Sequence, residues 1–483
     1  MKRTIIRWTA LGTALAVQGA ALAAVSPEQA ARLGKDLTPV GATKAGNAAG
    51  TIPAWTGGVQ GIPSGFVQGG HYPDPYAADK PLFTIDAANH QEYAENLTPG
   101  QIALFKRYPD TRKMLVYPSR RAAKYPQGIY DETRANATKV NLIPSGNGFE
   151  GTTGGFPFPI AKDGLEAIWN HLTVYKGDTY ATSWSQAPVT SGGDYNLVEF
   201  DYEYDFIYGN QNKAPSERAD NQLFYFLQII KAPTRLAGGI LLVYDYADQV
   251  AQPRKAWTYN TGSRRVRLAP NVAYDNPGTA ADGLRTNDDF FMFNGATDRY
   301  NWELLGSKEI YIPYNGYKIN GNSIRVKDVL RPGHVNPEHA RYELHRVWHV
   351  RATLKDGTSH IYQQRDFYLD EDSWIIHVQD KYDNRGDLWR VDELHTYTYY
   401  DVPFLAPGLE VHHDLNAGRY IALSIRNDED VVYKPVQRTP ADFTPDSLRS
   451  RGRLCSYCAP VEAARNRSTP CWEGNAFWLL VTA

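Results

Sequence analysis

His345 and His349, in RYELHRVWHVRATL, have the i, i+4 spacing that brings two imidazoles onto one zinc ion when the backbone is helical. The residues around them alternate as a strand does, and four residues of strand span about 13 Å, too far for one shared metal. Cross-strand partners such as His360, His377 or His395 would have to complete such a site, and a wet sheet face is the simpler expectation. Asp288 and Asp289 in TNDDFFMFNG, with Asp298 beyond, raise acid–base chemistry. Carboxylates adjacent on a strand point to opposite faces and form no ready dyad, so turns or solvated caps are the expected use. Cys455 and Cys458, in CSYC, are half of a zinc-knuckle ligand set; Cys471 is the one other thiol, and a second ligand pair is missing. The chain has no G-x-S-x-G elbow, H-E-x-x-H helix or phosphate-binding glycine loop. No catalytic residue, metal or cofactor is therefore assigned.

The densest positive charge lies in WTYNTGSRRVRLAP, residues 257–270. After a turn at 260–263, strand alternation puts Arg265 and Arg267 on one face and Arg264, Val266 and Leu268 on the other. Side chains two apart on a strand are separated by about 7 Å, a span that suits a phosphate or carboxylate head group or an acidic partner. Pairing with the acidic row from Glu199 to Asp205 is the structural alternative.

That row belongs to LVEFDYEYDFIYG. Val198, Phe200, Tyr202, Tyr204, Phe206 and Tyr208 point one way, while Glu199, Asp201, Glu203 and Asp205 point the other. The pattern predicts a strand with one apolar and one wet face. Further alternating runs fill 341–402, separated by turns at Lys355-Asp356-Gly357, 370–373 and 383–386, and short turns force antiparallel neighbours. Helices are expected around 86–97, from the Thr98 cap and Pro99, and over 162–174, where Leu165, Ile168, Trp169 and Leu172 share a face. Upstream, residues 24–80 are rich in Gly, Pro and Ala and read as an extended arm.

Tyr (32) and Trp (11) are abundant, which favours pleated surfaces with apolar bodies and polar tips. A formal net charge of -2 gives nucleic acid no electrostatic footing. The N-terminus, with Lys2, Arg3 and Arg7 before an apolar run and Ala21-Leu22-Ala23, predicts a cleaved secretory signal over 1–23 and a periplasmic product. The segment from Leu454 changes composition abruptly, and 454–483 is expected to be a frameshifted or appended tail peripheral to function.

Five blocks carry a resemblance: 35–58, 151–172, 257–277, 283–315 and 374–391, among them KDLTPVGATKAGNAAGTIPAWTGG and WIIHVQDKYDNRGDLWRV. Together they resemble the bacterial domain-of-unknown-function family numbered 1329, sometimes labelled outer-membrane lipoprotein-sorting protein. The resemblance implies the architecture of periplasmic lipoprotein carriers: a large, curved antiparallel sheet, an open half-barrel, covered by a few short helices. Helices and arm would occupy 24–150 and the half-barrel 151–450. It also implies a hydrophobic ligand or lipid, with a resistance-nodulation-division exporter and outer-membrane proteins as partners. The candidate ligand wall is Phe200, Tyr202, Tyr204, Phe206, Trp257, Tyr259, Trp348, Trp374 and Trp389, with Arg265 and Arg267 for a head group; a self-packed core is the alternative for each ring. The alternative function is an exported enzyme or binding protein for glycans or aromatic compounds.

Overall fold

The alternation at 198–206 does build a strand, part of one sheet that runs through the molecule. The computed structural model describes residues 24–219, 221–270 and 272–457. The expected signal peptide, and the tail from 458 with Cys458 and Cys471, lie outside the described residues. In chain order the sheet contains β1 (Phe83–Ile85), β2 (Met114–Tyr117), β3 (Thr179–Val189), β4 (Val198–Phe206) and β5 (Gln222–Ala232). Next come β6 (Ile240–Tyr246), β7 (Lys255–Asn260), β8 (Arg265–Leu268), β9 (Tyr300–Pro313) and β10 (Tyr342–Leu354). The last are β11 (Gln364–Asp370), β12 (Ile376–Tyr382), β13 (Leu388–Tyr399), β14 (Phe404–Asp414), β15 (Arg419–Ile425) and the short β16 (Lys434–Pro435).

In space the order is β1-β2-β10-β11-β12-β13-β14-β15-β3-β4-β5-β6-β7-β8, with β9 also on β10 and β16 on β3. The expected meander is β10 to β13. All pairs are antiparallel except β2 with β10, where Tyr342 lies beside Val116 in parallel. A long crossover joins those two, so no hairpin fixes their direction; the sheet is mixed. Its end strands β1 and β8 do not pair, which leaves it open. Residues from seven neighbouring strands, β13 to β6, line one cavity. Laid flat, those strands would spread over about 29 Å at the usual spacing, so the sheet must bend around that space.

Thr98 starts helix α1 (Pro99–Arg107) through a reciprocal capping box with Gln101. Helix α2 (Gln127–Asn136) has no counterpart among the expected elements, and no side chain caps its start at Pro126. Asp163 caps α3 (Gly164–Leu172), in which Ile168 and Trp169 are buried and Leu165 and Leu172 half-buried. Helix α4 (Pro445–Tyr457) packs over β6, β7 and β8. The segment expected as helix near 86–97 is a 3-10 stretch, His90–Asn96. Among the described residues no helix is long and apolar enough to cross a membrane.

Two faces expected to be wet are dry. Asp201, Glu203 and Asp205 are buried and paired with Lys231 (3.5 Å), with Arg438 and Arg451 (both 2.7 Å), and with Lys213 (2.8 Å). The chain returns over this face from 210 to 218 and again from 438 to 451, which alternation alone could not reveal. His345, His349, His360, His377 and His395 are buried as well: Tyr314 lies on the rings of His345 and His377 (4.2 and 5.2 Å), and His360 meets Asp288 at 3.0 Å.

The arm has almost no regular structure, yet Val40, Val59 and Tyr72 join the main core. Arg121 fastens it. Its guanidinium donates to both Asp372 carboxylate oxygens (2.8 and 2.7 Å) and to the carbonyls of Thr43 (2.8 Å), Lys44 and Pro53 (both 3.2 Å). Arg121→Met leaves the Asp372 charge buried without its partner. It is expected to cost about 3–5 kcal/mol in urea unfolding and to make 43–53 the first site of limited proteolysis.

Candidate functional site

A cavity lies between one face of β3 to β6 and the long connection between β8 and β9. Trp184, Tyr204, Phe206, Phe224 and Phe226 form its sheet wall, and Phe290, Phe291 and Phe293 its roof. About 1380 Å³ between these walls is free of protein atoms, the opening to solvent included, and about 130 Å³ has room for the centre of a water-sized sphere. The rings stack on one another instead of filling the space: Trp184 on Tyr202 (4.1 Å between centroids) and Tyr204 on Phe206 (5.5 Å).

Pairing register decides which residues face the cavity. Directly opposed residues share a face, so Thr182, Tyr202, Gln228, Leu241, Thr258 and Arg267 form one cross-strand row. Thr182, Gln228 and Leu241 line the cavity, and Arg267 therefore lies on the cavity face, two strands beyond Leu241. Arg265 is on the same face, opposite Asn260. Both arginines are exposed and form no ion pair among the described residues. The acidic row occupies the other face and cannot reach them, so the expected alternative pairing does not occur.

The proposed wall residues separate into four groups. Tyr204 and Phe206 line the cavity; Phe200 and Tyr202 pack on the same face beside it. Trp257 and Tyr259 are on the opposite face, where Phe443 and Leu448 cover them. Trp348 stacks on Trp374 (6.1 Å), whose indole N–H donates to the Val40 carbonyl at 2.8 Å. Trp389 donates to Asp414 at 3.0 Å, and none of these last three reaches the cavity.

The roof is held by charge. Asp288 accepts from Arg365 (2.9 Å) and His360 (3.0 Å); Asp289 accepts from Arg365 (2.8 Å) and Tyr362 (3.0 Å) and forms an ion pair with Lys381 (3.2 Å). Lys381 continues to Asp392 (2.6 Å), Asp392 to His412 (3.0 Å), and His412 to Glu410 (2.7 Å). Glu410 then accepts the backbone N–H groups of Phe291 (3.1 Å) and Met292 (3.2 Å). Those two residues have φ of 54° and 65°, a left-handed conformation that costs a non-glycine residue about 1–3 kcal/mol and needs such support. From α3, His171 Nε2 donates to the carbonyls of Phe291 (3.0 Å) and Phe293 (3.1 Å), and burial pushes its pKa down to about 3, so it stays neutral. The adjacent acids are thus no solvated cap. A 3-10 turn, Asn287–Asp289, aims both at Arg365, where a strand would have split them.

Sequence reading missed the roof, although its signal was present: four apolar residues, FFMF, directly after two acids do not suit a solvated turn. It also missed the cavity's basic residues Lys176, Arg285 and Arg426. His345 lies with Asp370 and Asp372 in a group compact enough for a metal ion. Its two ring nitrogens already face Asp370 (3.1 Å) and Glu343 (3.2 Å), and Asp372 is held by Arg121. Burial opposes the charge, but the carboxylates prevail and lift the His345 pKa to about 9, so an imidazolium already supplies the cation.

Burial would raise the carboxyl pKa of Asp289, but Lys381 and Arg365 outweigh it and hold it well below the usual range. A depressed folded pKa gives stability that is full above the unfolded value of about 3.9 and is lost as pH falls through the folded one. Asp289→Asn is expected to cost about 3–5 kcal/mol at pH 7 in urea unfolding and to flatten the decline of stability in acid.

A 50% identical relative over 434 residues, 89% of this chain and 95% of its own length, is uncharacterized protein PA3922 of Pseudomonas aeruginosa. A DUF1329 family protein from Desulfovibrio piger, of known structure, is 14% identical and covers 58% of this chain and 95% of its own, with a TM-score of 0.40. The LolA superfamily protein NE2245 from Nitrosomonas europaea is 12% identical, covering 59% of this chain and all of its own, with a TM-score of 0.37. The family model described as protein of unknown function, DUF1329, matches residues 84–449, and the chain belongs to that family.

Proposed function

We propose that the protein is a non-enzymatic carrier of a lipid or other hydrophobic molecule, exported to the periplasm and serving an envelope transport system. The observation that carries this reading is the aromatic cavity: rings from β3, β4 and β5 and rings from the roof line one partly empty space, closed on one side where Phe290 meets Trp184 and Phe226 (both 6.2 Å). Burying an alkyl chain there contributes about 0.8 kcal/mol per methylene, enough to hold a lipid without covalent chemistry. Loading and release then follow the relative affinities of donor and acceptor membranes. The basic N-terminal residues and the small-residue site at 21–23 support export. Arg265 and Arg267, exposed on the cavity face, serve in this reading as docking charges for a head group or an acidic partner.

The chain purified from an envelope fraction is expected to yield near-stoichiometric lipid on organic extraction and mass spectrometry, and Val243→Trp, which fills the cavity, is expected to cut the yield at least tenfold. An extract free of lipid, together with stabilisation by soluble sugars, would favour a glycan-binding protein instead. Reversing Arg265 and Arg267 to Glu is expected to slow lipid uptake from anionic vesicles while leaving the melting temperature unchanged. An unchanged rate would remove their docking role.

A further inference from the structure

An apolar cavity for a neutral lipid has no use for cations, and this one contains three basic side chains that no carboxylate among the described residues reaches at ion-pair distance. Arg285 is 7% exposed and Arg426 4% exposed. Arg285 spends one N–H on the Thr286 carbonyl (3.2 Å), and Arg426 binds the carbonyls of Pro407 (3.1 Å) and Ser424 (3.3 Å). The Nε atom of each is buried with no partner. Lys176 has its Nζ 4.3 Å from the Phe291 ring centroid. Among the described residues none of the three forms an ion pair. The carboxylates that line the same space are occupied: Arg254 chelates Asp245 (3.0 and 2.9 Å), and Glu410 takes two backbone N–H groups and His412. A charge left unpaired in a low-dielectric site is costly, so the missing counter-charge belongs to whatever fills the cavity. Arg285 and Arg426 both line this one cavity.

We propose that the ligand is an anionic amphiphile, its carboxylate or phosphate head held by Arg285 and Arg426 and its apolar body lying against Trp184, Phe226 and Phe290. This rests on the carrier reading and specifies its ligand. Guanidinium pairs suit both heads because each presents parallel N–H donors to two oxygens. Lys176 adds a cation whose pKa burial pushes down to about 7, and an anion beside it would reverse that shift.

The test is titration of the delipidated full chain with palmitate, hexadecyl phosphate, hexadecanol, acetate and inorganic phosphate, by calorimetry at one pH and salt. At least one of the two acid-headed chains is expected to bind tenfold or more tighter than hexadecanol, and which of them is tighter identifies the head. Acetate and inorganic phosphate are expected to bind far more weakly than either, because the apolar body is missing. Arg285→Met should bring the ratio of acid to alcohol towards one while hexadecanol affinity holds, and Arg285→Lys should restore part of it. Hexadecanol binding as tightly as both acids would overturn this inference and leave the carrier intact. Failure of all three long chains would overturn the carrier reading, and this inference with it. Tight binding of acetate or phosphate alone would reassign the site to a small free anion and likewise overturn the proposal.

Discussion

The clamp of Arg365 and Lys381 on Asp288 and Asp289 is the constraint on which the cavity depends. Four ionised groups are buried together there, and each is bearable only because the others neutralise it. From this cluster the charge relay through Asp392 and His412 ends at Glu410, which holds two residues of the roof in left-handed conformations. The roof is therefore fixed to the sheet by polar contacts at its edge. Of its phenylalanines Phe290 meets the opposite wall at Trp184 and Phe226 (both 6.2 Å), while Phe291 stacks on His171 (5.1 Å) and Phe293 packs on Phe367 (5.6 Å). That division of labour, charge for attachment and rings for lining, is what lets an aromatic interior remain partly empty.

Parity along the strands does the rest. On β4 the ring row and the acidic row alternate, and the rings face the cavity while the acids face the covering segments 210–218 and 438–451. The same parity, carried across β5, β6 and β7, sends Trp257 and Tyr259 under the C-terminal helix and Arg265 and Arg267 to the cavity face. Neighbours in one hairpin thus have opposite surroundings, and composition alone could not assign them.

Much of this architecture was legible in the sequence, and the limits have physical causes. Period-two alternation marks strands whatever covers them, so β4 and the meander β10 to β13 could be read directly, as could α1 from Thr98 and Pro99. Alternation says nothing about what lies on the polar face. Asp201 and Glu203 were expected in water and are instead buried by segments distant in sequence. Tyr204 and Phe206 were found because their row is long. Trp348 and Trp374 pattern in the same way but are packed by one another and by the arm at Val40. Arg285 and Arg426 stand in loops, where no periodicity shows which way a side chain faces. Helix α2 lacks a capping side chain, and so lacked its usual start signal.

Photo-crosslinking with a fatty acid that carries a diazirine along its chain tests the central claim most directly, because it reports where the apolar body sits. The label is predicted to fall on peptides containing 180–206, 222–246 and 284–295, the sheet wall and the roof. Label confined to the exposed apolar residues Leu82, Val250 and Leu268 on the outer surface would contradict an interior binding site.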